Sequence, residues 1–171
     1  TRGYDTHVPY LDEADIDGQV KAAKEKADLV FVVVHWGQEG AFKPNDYQKK
    51  YAKKFADAGV DVIIGSHPHV VQPVEWIEGK DGNKTLCYYS LGNFMAEQAR
   101  DYNMLGGIVT FDIVTGGECD GAVIENALFT PTVFDFTRKF YNNKVYLLEN
   151  YTAEQAKNHG IGYYGNSASL K

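Results

Sequence analysis

Three observations predict an α/β fold. A continuous β-branched run, LVFVVV at 29–34, is followed by a loop, a capped amphipathic helix and a second apolar run, VDVII at 60–64. Runs of this kind are typical of strands buried on both faces of a parallel sheet, and the intervening helix makes the pair a right-handed βαβ unit. After Pro73 the pattern changes to paired extended runs around Gly- and Asp-containing turns, which predicts antiparallel strands.

Each element has its own signal. From Asp15, Ile16, Val20, Ala23 and Ala27 recur at helical spacing and stop near Lys24-Glu25-Lys26. The strand at 29–34 and the loop HWGQEGAFKP follow. Asn45 then opens a second helix with Gln48 three residues on, the capping-box spacing. Tyr47, Tyr51, Phe55 and Ala58 form its apolar stripe, and Gly59 stands where a left-handed stop is favoured. Beyond the strand at 60–64, VEWIEG and KTLCYYS flank KDGN as a hairpin with Asp81-Gly82 at its tip. Residues 106–114 and 121–131 read as a second antiparallel pair around TGGECD, and KVYLLENY adds a short extended piece. Thr152 caps a last short helix. The tail GYYGNSASLK has no periodicity and reads as loop or frayed chain.

Composition narrows the function classes. The 171 residues, 44% hydrophobic, suit one domain with a real core. A formal charge of -6 gives a nucleic-acid-binding role no electrostatic support. No run approaches the roughly 18 to 20 apolar residues of a membrane span. The opening TRGYDTHVPY lacks both Met and a signal pattern, so it is expected to belong to something longer whose address is written elsewhere. Cys87 lies in a strand-like run and Cys119 in a Gly-rich turn; one bridge or two free thiols both remain open.

The histidines carry the chemistry. His35 follows the first apolar run, while His67 and His69 follow the second in GSHPHVVQP. Parallel neighbours lie about 4.8 Å apart, so all three imidazoles reach the same C-terminal sheet edge, where open α/β sheets keep their ligand sites. Pro68 restricts the loop between two of them, and Gly65 is expected to let the backbone turn sharply. A lone His-Pro-His reads as a polar turn. Three imidazoles at two adjacent strand ends favour a metal, because neutral imidazole is the commonest protein ligand.

VVVHWGQE, the helix ending DAGVD, VIIGSHPHVVQPVE and YYSLGNF together resemble the capsule-synthesis CapA family, also called PgsA. That family is similar in fold to the calcineurin-like metallophosphoesterases. The resemblance implies the later half of a layered αββα sandwich, with the whole of 1–171 belonging to one domain. The match covers about 15–131, and 132–171 form a C-terminal extension. It implies that His35, His67 and His69 are metal ligands and that Glu39, Ser66 and Asn93 line the site. Many relatives carry a further histidine where Ser66 stands here. The superfamily's early Asp-rich strand ends and Asn-His segment have no counterpart in these residues. The ligand set is therefore expected to be incomplete, with two divalent ions (Mn²⁺, Zn²⁺ or Fe²⁺) held only in a full-length protein.

By the same resemblance the function is capsule or poly-γ-glutamate synthesis or export at the extracellular face of the bacterial membrane, through an anchor outside this chain. The metals would assist hydrolysis of a phosphoester or amide-like bond, and these residues alone would be inactive. The rival reading is a non-catalytic export component that binds the anionic polymer. The missing N-terminal half or membrane synthase components would be partners.

Other residues invite weaker readings. Lys43, Lys49, Lys50, Lys53 and Lys54 form either a solvated helix face or a surface for an anionic polymer. Trp36 and Trp76 wall a pocket or fill the core. Glu97 and Asp101 follow Gly-Asn-Phe closely enough to approach the site. His7 and His159 read as surface residues.

Overall fold

Strand β1 (Phe31–His35) runs parallel to β2 (Val62–Ser66) in unbroken register, with Phe31 opposite Val62 and His35 opposite Ser66. This is a computed structural model, and it describes residues 10–116 and 121–169. Helix α1 (Ile16–Lys24) precedes β1, with the Asp15 side chain accepting from the Gly18 amide. Helix α2 (Asp46–Ala58) links β1 to β2. Asn45 and Gln48 form the full capping box at its start, and Gly59 ends it at φ 92°.

The hairpin follows as expected, β3 (Val74–Glu78) against β4 (Lys84–Tyr88). The sequence pattern did not reveal where it docks: β4 inserts parallel to β2, giving the order β1-β2-β4-β3. A second sheet has the antiparallel order β5-β6-β7, from β5 (Leu105–Thr115), β6 (Ala122–Thr137) and β7 (Tyr141–Leu147). Helix α3 (Ala153–Asn158) follows, with Thr152 and Gln155 in a second capping box.

Alternation along the strands explains the layers. Ile63 and Cys87 face the helices, in a core with Ile16, Val20, Val34, Trp36, Tyr51, Ala52 and Phe55. Their neighbours Val62, Leu86 and Tyr88 face the second sheet, where Val109, Phe111 and Ile124 pack on them. Both faces of β2 and β4 are thus apolar because each has its own core. Burying a side chain of this size stabilises by about 1.5–3 kcal/mol. Cys87 is fully buried and free, and burial pushes its thiol up to about 12. Cys119 lies outside the described residues, as does His7.

Several expectations change here. The β-branched run at 29–34 is an edge strand: Phe31 is 42% and Val33 76% exposed. On α2 the buried set is Gln48, Tyr51, Ala52, Phe55 and Ala56, while Tyr47 is exposed. Gln48 tolerates burial because its amide is bonded at both ends, accepting from the Asn45 amide at 3.1 Å and donating to Gln72 Oε1 at 2.8 Å. Gly65 does not turn the chain. It sits inside β2, where a Cβ would lie 2.0 Å from the Tyr89 carbonyl oxygen, so its role is close approach.

The C-terminal region is docked. His159 is buried, with Nδ1 accepting from the Ile161 amide (2.9 Å), so Nε2–H donates to the Phe134 carbonyl (2.9 Å). Residues 160–164 form a 3₁₀ turn, and Asn166 Nδ2 donates to the Ala99 carbonyl at 2.7 Å. Trp36 is core, whereas Trp76 is 52% exposed and lines a 520 Å³ cavity with Leu29, Asp61 and Asn83. None of the three histidines, Glu39, Ser66 or Asn93 lines that cavity. No helix among the described residues is long and apolar enough to cross a membrane.

Candidate functional site

The parallel register brings the histidines together. His35 ends β1 opposite Ser66, and His67 is the next residue after β2. The His35 and His67 ring centroids are 4.5 Å apart, and those of His67 and His69 are 6.3 Å apart. His67 has φ 97° and His69 φ 56°, so two non-glycine residues flanking Pro68 occupy left-handed backbone. Each costs on the order of 1–3 kcal/mol, a strain that gathers where surrounding structure imposes it, often at functional sites.

Anchors on both sides hold the loop. Trp36 Nε1–H donates to the Tyr89 carbonyl at 2.9 Å, tying the end of β1 across β2 to the end of β4. The Gly40 amide donates to the Pro68 carbonyl at 2.8 Å, and Asn103 Nδ2 donates to the His69 carbonyl at 2.8 Å. Asn93 arrives because Gly92, at φ 71°, bridges to Gly106, where any side chain would strike the Asn93 backbone.

Hydrogen bonding fixes the imidazole tautomers. Asn93 Nδ2 donates to the Asn103 carbonyl (3.1 Å) and Gln98 Oε1 (3.3 Å), so its Oδ1 is the atom 2.7 Å from His69 Nδ1. An amide oxygen only accepts, so His69 Nδ1 carries the proton and Nε2 keeps its lone pair. The Ser66 hydroxyl donates to the Val34 carbonyl at 3.2 Å. With that proton committed, His35 Nδ1–H donates to Ser66 Oγ at 3.4 Å, which again leaves Nε2 free. Burial and the neighbouring His35 hold His67 below the ordinary histidine value, against an upward pull from Glu39; His69 adds to the lowering. His67 is therefore neutral at neutral pH.

This donor chemistry suits a divalent cation: imidazole rings, with His69 oriented by a carbonyl oxygen behind it as metal-bound histidines are. The number of donors is short. Among the described residues, no group of three or more His, Cys, Asp or Glu is placed where it could hold a metal ion, so the three histidines are neighbours without forming a ligand set in this arrangement.

A cavity of 230 Å³ opens beside His69, lined also by Glu39, Gly40, Gln98, Arg100, Tyr102 and Asn103. Glu39 thus lies at the site, acting on His67 through its charge. Asp101 accepts from the adjacent Tyr102 amide at 2.8 Å and lines a different cavity of 510 Å³. Glu97 does not line the histidine cavity. The sequence reading missed Gln98, Arg100, Tyr102 and Asn103. Their signal was the polar segment QARDYN just after the Gly-Asn-Phe motif. The α2 lysines form a solvated face: Lys53 pairs with Asp57, and Lys50 lies 5.1 Å from the Tyr51 ring centroid.

Comparison with known proteins gives the chain its relatives. Residues 2–98 match the family described as bacterial capsule synthesis protein PGA_cap. The chain is 40% identical over 98 residues to a PGA biosynthesis protein CapA of Bacillus subtilis, covering 57% of this chain and 24% of that protein. It is 44% identical over 84 residues to a capsule biosynthesis protein CapA of Bacillus anthracis, covering 47% of this chain and 19% of that one. A probable polyglutamine synthesis accessory protein of Mycobacterium tuberculosis is 29% identical over 97 residues, covering 57% and 23%. The matched stretch spans a quarter or less of each relative's length.

Proposed function

The chain belongs to the bacterial capsule synthesis protein family, and from that premise we propose that it serves capsule or poly-γ-glutamate synthesis as part of a metallophosphoesterase-like protein. The observation that carries the reading is the approach of His35, His67 and His69 at one sheet edge, two of them with Nδ1 engaged in named hydrogen bonds so that Nε2 is the nitrogen turned to a ligand. These three would hold a divalent cation, Mn²⁺, Zn²⁺ or Fe²⁺. When bound, such an ion supplies Lewis-acid polarisation of a phosphoryl or carbonyl oxygen.

The chain's own residues do the positioning. Asn93 fixes the His69 ring. Ser66 does the same for His35, and the Gly40 amide and Asn103 side chain pin the loop between. Glu39 contributes negative charge at His67 that favours a cation there. The natural ligand is an anionic surface polymer or a phosphoester, and the site of action is the outer face of the bacterial membrane. The exposed Lys49, Lys50 and Lys53, with the half-buried Lys54, would add attraction for the polymer.

A second reading has its own observation. The only carboxylate lining the histidine cavity is Glu39, so a bridging acid for two ions is lacking among the described residues. That favours a protein that binds polymer without cleaving it. The two readings separate in one assay of the full-length protein that contains these residues, with Mn²⁺ or Zn²⁺, offered a phosphodiester, a phosphomonoester and poly-γ-glutamate. Metal-dependent cleavage that His67→Ala with His69→Ala abolishes supports the hydrolase. Saturable binding of poly-γ-glutamate with every bond intact supports the binder.

A further inference from the structure

We propose that the 230 Å³ cavity beside His69 is an anion subsite, in which Arg100, Tyr102 and Gln98 take one carboxylate or phosphate group of a small acidic unit. The assignment rests on the cavity's hydrogen-bond donors and needs no cation at the histidines.

Each donor has capacity left to give. One Arg100 terminal nitrogen donates to Tyr102 Oη at 2.8 Å, and the guanidinium carbon lies 6.0 Å from that ring's centroid. No carboxylate among the described residues is paired with Arg100. A guanidinium has five N–H donors, so most of its fork remains unspent. Tyr102 Oη accepts from Arg100, which leaves its own proton available. Gln98 Oε1 accepts from Asn93 Nδ2 at 3.3 Å, so the Gln98 amide nitrogen and its two N–H groups face elsewhere. Charge-assisted bonds from such a fork to a carboxylate or phosphate are about twice as strong as neutral ones.

The segment is also held in place before any ligand arrives. Ala99 accepts from Asn166 (2.7 Å), the Asn103 amide donates to the Arg100 carbonyl (3.0 Å), and Asn103 Nδ2 ties the segment to the His69 carbonyl (2.8 Å). Such pre-ordering lowers the entropic cost of binding. Gly40 brings the loop after β1 up to Tyr102, a Cβ there lying 3.7 Å from Tyr102 Oη, and its φ of 74° is one that favours glycine.

Size and charge limit the ligand. The cavity is smaller than the roughly 300–1,000 Å³ of drug-sized sites, so it accommodates one monomer-sized unit. Glu39 also lines the cavity, and its carboxylate repels a second anion. The ligand therefore enters with its acidic group toward Arg100 and an uncharged or cationic part toward Glu39.

The test is a pair of titrations of the full chain, in buffer stripped of metals on a chelating resin, with inorganic phosphate and with glutarate. Amide NMR shifts are the readout. Saturable shifts centred on residues 98–103 are expected for at least one probe, weakened about tenfold or more by Arg100→Gln. Arg100→Lys should recover only part of the loss, because it keeps the charge without the fork. Tyr102→Phe should weaken binding less, and Lys157→Gln on α3 should leave it unchanged. Response to phosphate alone assigns a phosphoester ligand, to glutarate alone a carboxylate, and to both their shared chemistry. Absence of saturation with either probe overturns the subsite, as do shifts that survive Arg100→Gln or that spread over the α2 lysines. The metal-free buffer keeps this outcome separate from the fate of the metal reading.

Discussion

Asn93 Oδ1 lies 2.7 Å from His69 Nδ1, and the amide's other two bonds leave it no choice of orientation. A side chain from the segment after β4 thereby decides which nitrogen of His69 can meet a ligand. Asn93→Ala removes the acceptor, and Zn²⁺ affinity measured calorimetrically should fall about 10- to 100-fold. Asn93→Asp keeps an oxygen in place and should recover most of that loss. Equal affinity in Asn93→Ala and the parent would mean that the bond does not orient a ligand.

The Trp36–Tyr89 tie should govern stability. Trp36→Phe leaves the buried Tyr89 carbonyl without its donor and should cost roughly 1–3 kcal/mol in urea unfolding. Gly65→Ala should cost at least as much, because the backbone itself must move to admit a Cβ 2.0 Å from that oxygen. An unchanged midpoint for Gly65→Ala would show that β2 and the Tyr89 segment do not pack at this distance.

Tyr51 supplies a pH signature. Its hydroxyl donates to Asp12, and that bond pushes the phenol up to about 12, with burial and the Asp12 charge adding to it. The folded value lies above the unfolded one near 10, so the folded chain holds the proton longer. The resulting stability is complete below about pH 10 and is lost as pH rises toward about 12. Asp12→Asn should bring one tyrosine's ionisation back toward 10 in an absorbance titration. No difference between variant and parent would rule out the pairing.

Much of the fold was legible in the sequence because its signals are local. Asn45 with Gln48, Thr152 with Gln155, and Asp81-Gly82 each specify an element through bonds to near neighbours. What was hidden depends on long-range pairing. The β-branched run at 29–34 gives no sign that it forms the sheet edge, since one buried face and one partly exposed face use the same residue types. His159 looked like a surface residue because nothing near it announces the Phe134 carbonyl 25 positions away. At the site, the strand-end rule located the three imidazoles and the family resemblance named Glu39, Ser66 and Asn93, but Gln98, Arg100, Tyr102 and Asn103 beside His69 were beyond the reach of spacing arguments.

The most direct test of the histidine centre is thermal melting of the full chain with and without Mn²⁺ or Zn²⁺. A bound ion at 100 times its dissociation constant stabilises by about 2.7 kcal/mol, so the parent's Tm should rise by several degrees. In the chain carrying both His67→Ala and His69→Ala, judged against its own metal-free melt, that rise should vanish. No shift in the parent, or an equal shift in the double variant, would contradict a metal site at His35, His67 and His69.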